Sequence, residues 1–168
     1  HRIEKVKVAT LNADFFKQFK KEEFNYGGEI TYNKINSAAN KENINTGTLS
    51  ALDSRYPDGG SNTQSYAAYA SLMHKFSEKL NLNTGLRFTH NRLFSKFNDT
   101  SFFPFPFKTV EQKSNAVSGN LGIVYRPGVD WKFSAMLSSG FRTPNVDDMS
   151  KVFESNNFTL IVPNPRLN

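Results

Sequence analysis

Two stretches concentrate the residue types that make contacts. Phe102-Phe103-Pro104-Phe105-Pro106-Phe107 sets four phenylalanines among prolines. Rings in such a loop either meet an apolar ligand or a protein partner, or pack against neighbouring loops to stiffen them. Arg142 precedes Asp147 and Asp148 by five and six positions, a spacing that serves an ion pair inside one loop or leaves a guanidinium open to an anion. Spacings that support catalysis are missing: there is no His-Glu-x-x-His, no Gly-x-Ser-x-Gly, no phosphate-cradling glycine loop and no dinucleotide fingerprint. The expectation is therefore a protein that is not an enzyme and carries no cofactor. Without cysteine there are no disulfides and no thiolate metal sites. Asp53 and Asp58 are too sparse for a calcium loop, and His74 and His90 fall in an apolar row where a structural role is expected.

The elements that would position these residues have period two. Leu80, Leu82, Thr84, Leu86, Phe88 and His90 alternate with Asn81, Asn83, Gly85, Arg87 and Thr89, which is a strand with one apolar and one polar face. Val117 to Tyr125, Trp131 to Leu137, Tyr66 to Phe76 and Phe24 to Tyr32 repeat the pattern. A sixth strand near Val6, Val8 and Leu11 changes parity between Val8 and Leu11, so a bulge or a weak strand is expected there. The polar faces favour Asn, Ser, Thr and Gly over long charged side chains, as a crowded wet interior would. Aromatic residues gather at strand ends, as in an interfacial girdle.

Short and long connections alternate. Tight links at residues 16–23, 77–79 and 127–130 are separated by loops at 36–62 and 98–112, and an irregular stretch follows Gly140. Loops of more than about 12–15 residues are unusual in compact domains, whereas outer-membrane barrels pair short periplasmic turns with long extracellular loops. Strands of about 11 residues would climb roughly 27 Å at a usual tilt, matching an apolar band of about 25 Å. The mean hydropathy is negative, but alternation averages a barrel strand to the same value. A soluble carbohydrate-binding β-sandwich is the competing architecture at this level.

Ser138-Ser139-Gly140-Phe141-Arg142-Thr143-Pro144-Asn145-Val146-Asp147-Asp148, followed by Val162-Pro163-Asn164-Pro165-Arg166-Leu167, resembles the barrel of TonB-dependent outer-membrane receptors. In that family a Phe/Tyr-Arg-Ala-Pro box ends one strand and an Asn-Pro-x-Leu box opens the next. Arg55-Tyr56-Pro57-Asp58-Gly59 is similar to a loop phrase of the same receptors. The resemblance implies a 22-stranded antiparallel transmembrane barrel in the bacterial outer membrane, closed by a plug domain. It implies import of a scarce nutrient with energy delivered through the plug by the TonB complex. Residues 1–168 would then be about six strands of the barrel, with plug and C-terminal strands lying elsewhere. A passive channel barrel is the alternative within the membrane class.

Further expectations follow from that resemblance. Haem receptors of the family typically carry a histidine between the two boxes; here neither His nor Tyr stands between Pro144 and Asn164, which favours a siderophore or other metal chelate. Arg142, on the lumen parity, would meet plug carboxylates or an anionic ligand, or else pair with Asp147 or Asp148. Arg55, Tyr56, Phe103 and Phe105 join it as candidate ligand contacts. A surface lipoprotein on the phenylalanine loop, and outer-membrane lipid with lipopolysaccharide around the barrel, complete the expected partners. The net charge of +6 is scattered, with no aromatic-interleaved basic stripe, so no nucleic-acid partner is expected.

Overall fold

The computed structural model describes residues 1–52, 54, 56–99, 106–150, 153–156 and 159–161, the last two segments as backbone. The strands are β1 (Arg2–Gln18), β2 (Glu22–Glu42), β3 (Leu49–Ala51), β4 (Ser61–Ser77), β5 (Leu80–Lys96), β6 (Thr109–Tyr125) and β7 (Phe133–Ser138). A helix, α1 (Val146–Ser150), and a hairpin of β8 (Phe153–Asn156) and β9 (Thr159–Ile161) follow. The sheet is an antiparallel meander in the order β1-β2-β4-β5-β6-β7, with β3 folded onto the end of β2. No helix among the described residues is long and apolar enough to cross a membrane, which leaves crossing by strands open.

Alternation survives intact. Pairings such as Leu11 with Ile30, Ile30 with Tyr66, Phe88 with Val117 and Leu121 with Leu137 build one continuous apolar face. Asn12 with Glu29, Tyr69 with Arg87 and Asn83 with Gly122 build the polar face. In the sandwich expectation the apolar face would be covered by a second sheet. Instead Leu86, Val117 and Leu137 are 65%, 69% and 75% exposed, so this face has no core of its own and is fitted to an apolar solvent. At the short-turn end the girdle is present: Phe15 and Phe24 each stack on Tyr26 at 5.2 Å, and Trp131 stacks on Phe133 at 5.9 Å. His74 sits edge-on to Phe76 at 4.4 Å with Nδ1 3.0 Å from Glu22, and His90 Nδ1 is 2.7 Å from Asn115 Oδ1. Both imidazoles therefore have local partners.

Three expectations change. First, β1 has no bulge: its register with β2 is unbroken from Arg2 to Gln18. Val6 and Val8 simply lie on the polar face beyond the apolar band, where parity no longer reports the lipid side. Within the meander the register shifts between Lys75 and Ser77 instead. Second, the full strands have 17 to 21 residues rather than about 11. Seventeen residues at about 3.3 Å each and a tilt near 40° climb roughly 43 Å, well past an apolar band of about 25 Å. The excess projects at the long-loop end, where the side chains turn polar on both faces and the sequence period fades. Third, the loop expected at 36–62 is partly ladder, because β2 continues to Glu42 and β3 pairs with it.

Midway along the polar face a network ties four strands together. Arg87 Nη2 donates to Glu29 Oε1 at 3.1 Å and its guanidinium lies 5.5 Å from the Tyr69 ring centroid. The Tyr69 hydroxyl donates to Asp14, which requires the ring to cross β2. Gly27 makes that crossing possible, since a Cβ there would stand 2.7 Å from the Tyr69 hydroxyl and 2.5 Å from the Ala13 carbonyl oxygen.

Candidate functional site

At the long-loop end the polar face acquires a cover. Ser139 marks the last contact of β7 with the sheet: its N–H donates to the Gly119 carbonyl, and its hydroxyl accepts from the Gly119 N–H, both at 2.9 Å. Gly140 and Pro144 then let the chain leave the ladder, because proline supplies no donor. The chain comes to rest on the polar faces of β5 and β6 through α1.

Why α1 forms is legible in its first turn. Asn145 Oδ1 accepts the Asp148 N–H at 2.9 Å, and Asp148 Oδ2 accepts the Asn145 N–H at 3.0 Å, a reciprocal N-cap. Val146 and Met149, one turn apart, insert against Leu93, Phe97 and Val110, with Ile35, Tyr56 and Phe107 around them. Ser150 hydroxyl donates to the Val146 carbonyl at 2.8 Å and lies 3.2 Å from the Ser95 hydroxyl, which donates to Ser61 at 2.9 Å. This is a small apolar anchor inside an otherwise polar surface.

Arg142 Nη2 lies 2.7 Å from each carboxylate oxygen of Asp148, so of the two alternatives at Arg142 the structure shows the pair within the loop. The Asn145 N–H, then the Arg142 guanidinium, hold the Asp148 carboxyl below the usual carboxylate range. Tyr56 donates to Asp147 Oδ1 at 2.5 Å, which links the second motif to the same segment. Asp58 and Gly59 of that motif clamp the end of β5. Asp58 accepts the N–H groups of Asn98 and Asp99 at 2.8 and 3.0 Å, and Gly59 N–H donates to the Lys96 carbonyl at 3.0 Å. A Cβ on Gly59 would lie 2.6 Å from that carbonyl oxygen, so only glycine allows the approach.

Between the Thr143-Pro144-Asn145 segment and the sheet lies a cavity of about 200 Å³, walled by Asn33, Thr63, Ser65, Asn91, Gln112 and Ser114 among others. Amide and hydroxyl side chains share its wall with Leu93 and Pro144, and Asn33 Nδ2 donates to Thr63 Oγ1 at 2.9 Å. Such groups recognise neutral oxygen-rich or nitrogen-rich surfaces by hydrogen bonding. Among the described residues no cluster of three or more His, Cys, Asp or Glu side chains is placed to hold a metal ion.

Of the candidate contacts, Arg142 and Tyr56 converge on α1, while Arg55, Phe103 and Phe105 lie outside the described residues, as do Pro163 to Leu167. The anchor was missed by sequence reasoning, although signals existed. Leu93 and Val110 are apolar residues at polar-face parity, Val146 and Met149 are three apart, and Asn145 and Asp148 have capping-box spacing.

Two comparisons bear on identity. Among solved structures the chain is similar to one described as "Copper transporter OprC", with 15% identity and a TM-score of 0.71, over 89% of this chain and 23% of that one. The chain thus spans about a quarter of that protein, and the likeness is one of fold. No curated protein matches it. The family model described as "TonB dependent receptor-like, beta-barrel" matches residues 5–168. That match covers the meander, its clamp and its anchored segment alike, so the chain belongs to the TonB dependent receptor-like β-barrels, proteins of the outer membrane.

Proposed function

We propose that the chain contributes lumen wall and extracellular mouth to an importer that takes up a metal chelate of the siderophore type with TonB-coupled energy. The observation that carries this reading is the cavity under the Thr143-Pro144-Asn145 segment, whose wall offers several amide and hydroxyl side chains. A metal wrapped in an organic chelator presents oxygen-rich, hydrogen-bonding surface, which suits such a wall better than it suits a bare ion. Metal transport is also what the name of the structurally similar copper transporter states of that protein.

In this arrangement the short turns face the periplasm and the long loops the outside. The apolar face meets lipid and lipopolysaccharide, and a plug domain within the lumen contacts the TonB complex. The Asp14–Tyr69–Arg87–Glu29 network lines the wall that such a plug would face. A surface lipoprotein could dock on the phenylalanine loop around Phe103 and Phe105. A ligand that competes with Asp148 for Arg142 Nη2 also competes with the cap of α1, which links ligand entry to release of the α1 segment.

The test is uptake. Cells deleted for the gene should lose import of a radiolabelled ferric chelate supplied as sole iron source, and regain it with the wild-type gene. Asn91→Leu and Gln112→Leu, which replace cavity-wall hydrogen-bonding groups, should raise the concentration needed for half-maximal uptake. Undiminished uptake of every chelate tried in the deletion strain would overturn the reading.

A further inference from the structure

The wall under the Thr143-Pro144-Asn145 segment is built from two adjacent lateral rows of the polar face. Asn33, Thr63, Leu93 and Gln112 pair in turn across β2, β4, β5 and β6, and Ser65, Asn91 and Ser114 pair likewise across β4, β5 and β6. Among the described residues lining the cavity Arg92 alone is ionisable. It takes the outward parity of β5, with Nε 2.9 Å from Glu111. The side chains that alternation turns inward here are therefore amides, hydroxyls and one leucine.

The charges that flank the rows are matched. Toward the short turns the next inward acid on β2, Glu29, has its counter-charge in Arg87 at 3.1 Å. Toward the mouth Arg142 has Asp148 at 2.7 Å. A charged ligand group seated on this wall would give up water without gaining a counter-charge, which is costly. An anion drawn to Arg142 would also meet the Asp148 carboxylate beside it. An uncharged group meets neither penalty, because amide carbonyls accept and amide N–H and hydroxyl groups donate. The cavity, about 200 Å³, is smaller than the roughly 300–1,000 Å³ of sites that enclose a whole drug-sized molecule. It can seat one arm of a chelate while the rest lies in the lumen.

We propose that this wall seats an uncharged arm of the chelate and thereby selects metal complexes of zero net charge over polyanionic ones. The inference rests on the chelate reading above and narrows it to a class. Three singly charged hydroxamates leave ferric iron neutral and surround it with oxygens that accept hydrogen bonds. Three doubly charged catecholates leave the complex triply negative. The neutral ferric hydroxamate is the class that fits the wall. Leaving a charged group without a partner weakens binding by about a hundredfold, and that is the discrimination expected.

The experiment measures equilibrium binding of radiolabelled iron complexes to the full-length protein in detergent. The probes are two synthetic tripodal chelators on one scaffold, one bearing three hydroxamates and the other three catecholates. Wild-type protein should bind the neutral complex about a hundredfold more tightly. Asn91→Lys and Ser114→Lys, on neighbouring strands, each add a cation to the wall. Each should tighten binding of the trianion at least about tenfold, in a salt-dependent manner, and retained binding of the neutral complex reports that the variant has folded. Ser134→Lys adds the same charge near the short turns and should leave the preference as in wild type. Equal or tighter binding of the trianion by wild-type protein would overturn the charge selection and leave chelate import standing. A preference unchanged in both wall variants would overturn the assignment to this wall. Binding of neither complex, with uptake of every chelate intact in the deletion strain, would overturn the chelate reading and this inference with it.

Discussion

Truncating Met149 asks how the mouth of the barrel is held. Met149 is fully buried against the wall formed by Leu93 and Val110, in the only turn of α1. Met→Ala in a core costs about 2–5 kcal/mol, the spread reflecting how well the site collapses. Here collapse is easy on one side, because α1 is a single turn lying outside the ladder, and impossible on the other, where β5 and β6 are fixed by their ladder. The lower half of the range, about 2–3 kcal/mol, is therefore expected. Since about 1.4 kcal/mol is a factor of ten, opening of the α1 segment should become roughly 30- to 150-fold more frequent.

Opening is local and reads out in hydrogen exchange. In full-length Met149→Ala protein the Met149 amide, bonded to the Asn145 carbonyl at 3.2 Å, should exchange faster by that factor. Amides in the β4–β5 ladder should keep wild-type rates. Acceleration below about threefold would mean that the anchor does not hold the segment. Equal acceleration in β4 and β5 would mean that α1 is part of the sheet's own cooperative unit rather than a cover laid upon it.

Further perturbations separate the remaining contributions. Asp148→Asn keeps a carbonyl acceptor for the cap but loses the charge facing an exposed Arg142, so exchange at α1 should rise less than fivefold, as for an exposed ion pair, and stay well below the Met149→Ala effect. Because the Asp148 carboxyl is held below its ordinary value, its contribution is present above about pH 4 and is lost as pH falls through the depressed value; exchange at α1, corrected for its intrinsic pH dependence, should rise there and not between pH 5 and 8. Gly59→Ala must displace the Lys96 carbonyl, so limited proteolysis should cut the 56–60 clamp faster than in wild type, and equal cutting rates would discount the close approach. Val117→Arg, in the middle of the lipid-facing row, should cost about 2–4 kcal/mol of folding stability in bilayers, whereas Ser118→Arg on the lumen face should cost far less; equal losses would contradict the assignment of the faces.

How far the sequence reveals the molecule depends on which solvent each residue meets. From Phe24 to Tyr32 and from Leu82 to Phe88 hydrocarbon lies on one side and a wet lumen on the other, so composition alternates and strands, faces and girdle can be read directly. Beyond Lys34 and Arg92 both faces meet water, so the same backbone ladder continues with nothing in the side chains to mark it. That is why β2 was expected to end near residue 36 and instead runs to Glu42. The mouth fails to read for the opposite reason. Leu93 and Val110 are apolar because one turn of α1 covers them, a contact made over more than thirty residues of sequence that no local period records. The motif residues divide along the same line. Pro144, Asp58 and Gly59 act on backbone, so their roles follow from chemistry alone. Arg142 has no role until its partner is known, and the partner turns out to be Asp148 at the far end of its own loop. Arg142 Nη2 is bonded to both oxygens of the Asp148 carboxylate, which also accepts the Asn145 N–H that caps α1. A ligand that displaces Asp148 must therefore also loosen α1, and chelate binding should accelerate exchange at Met149 in wild-type protein.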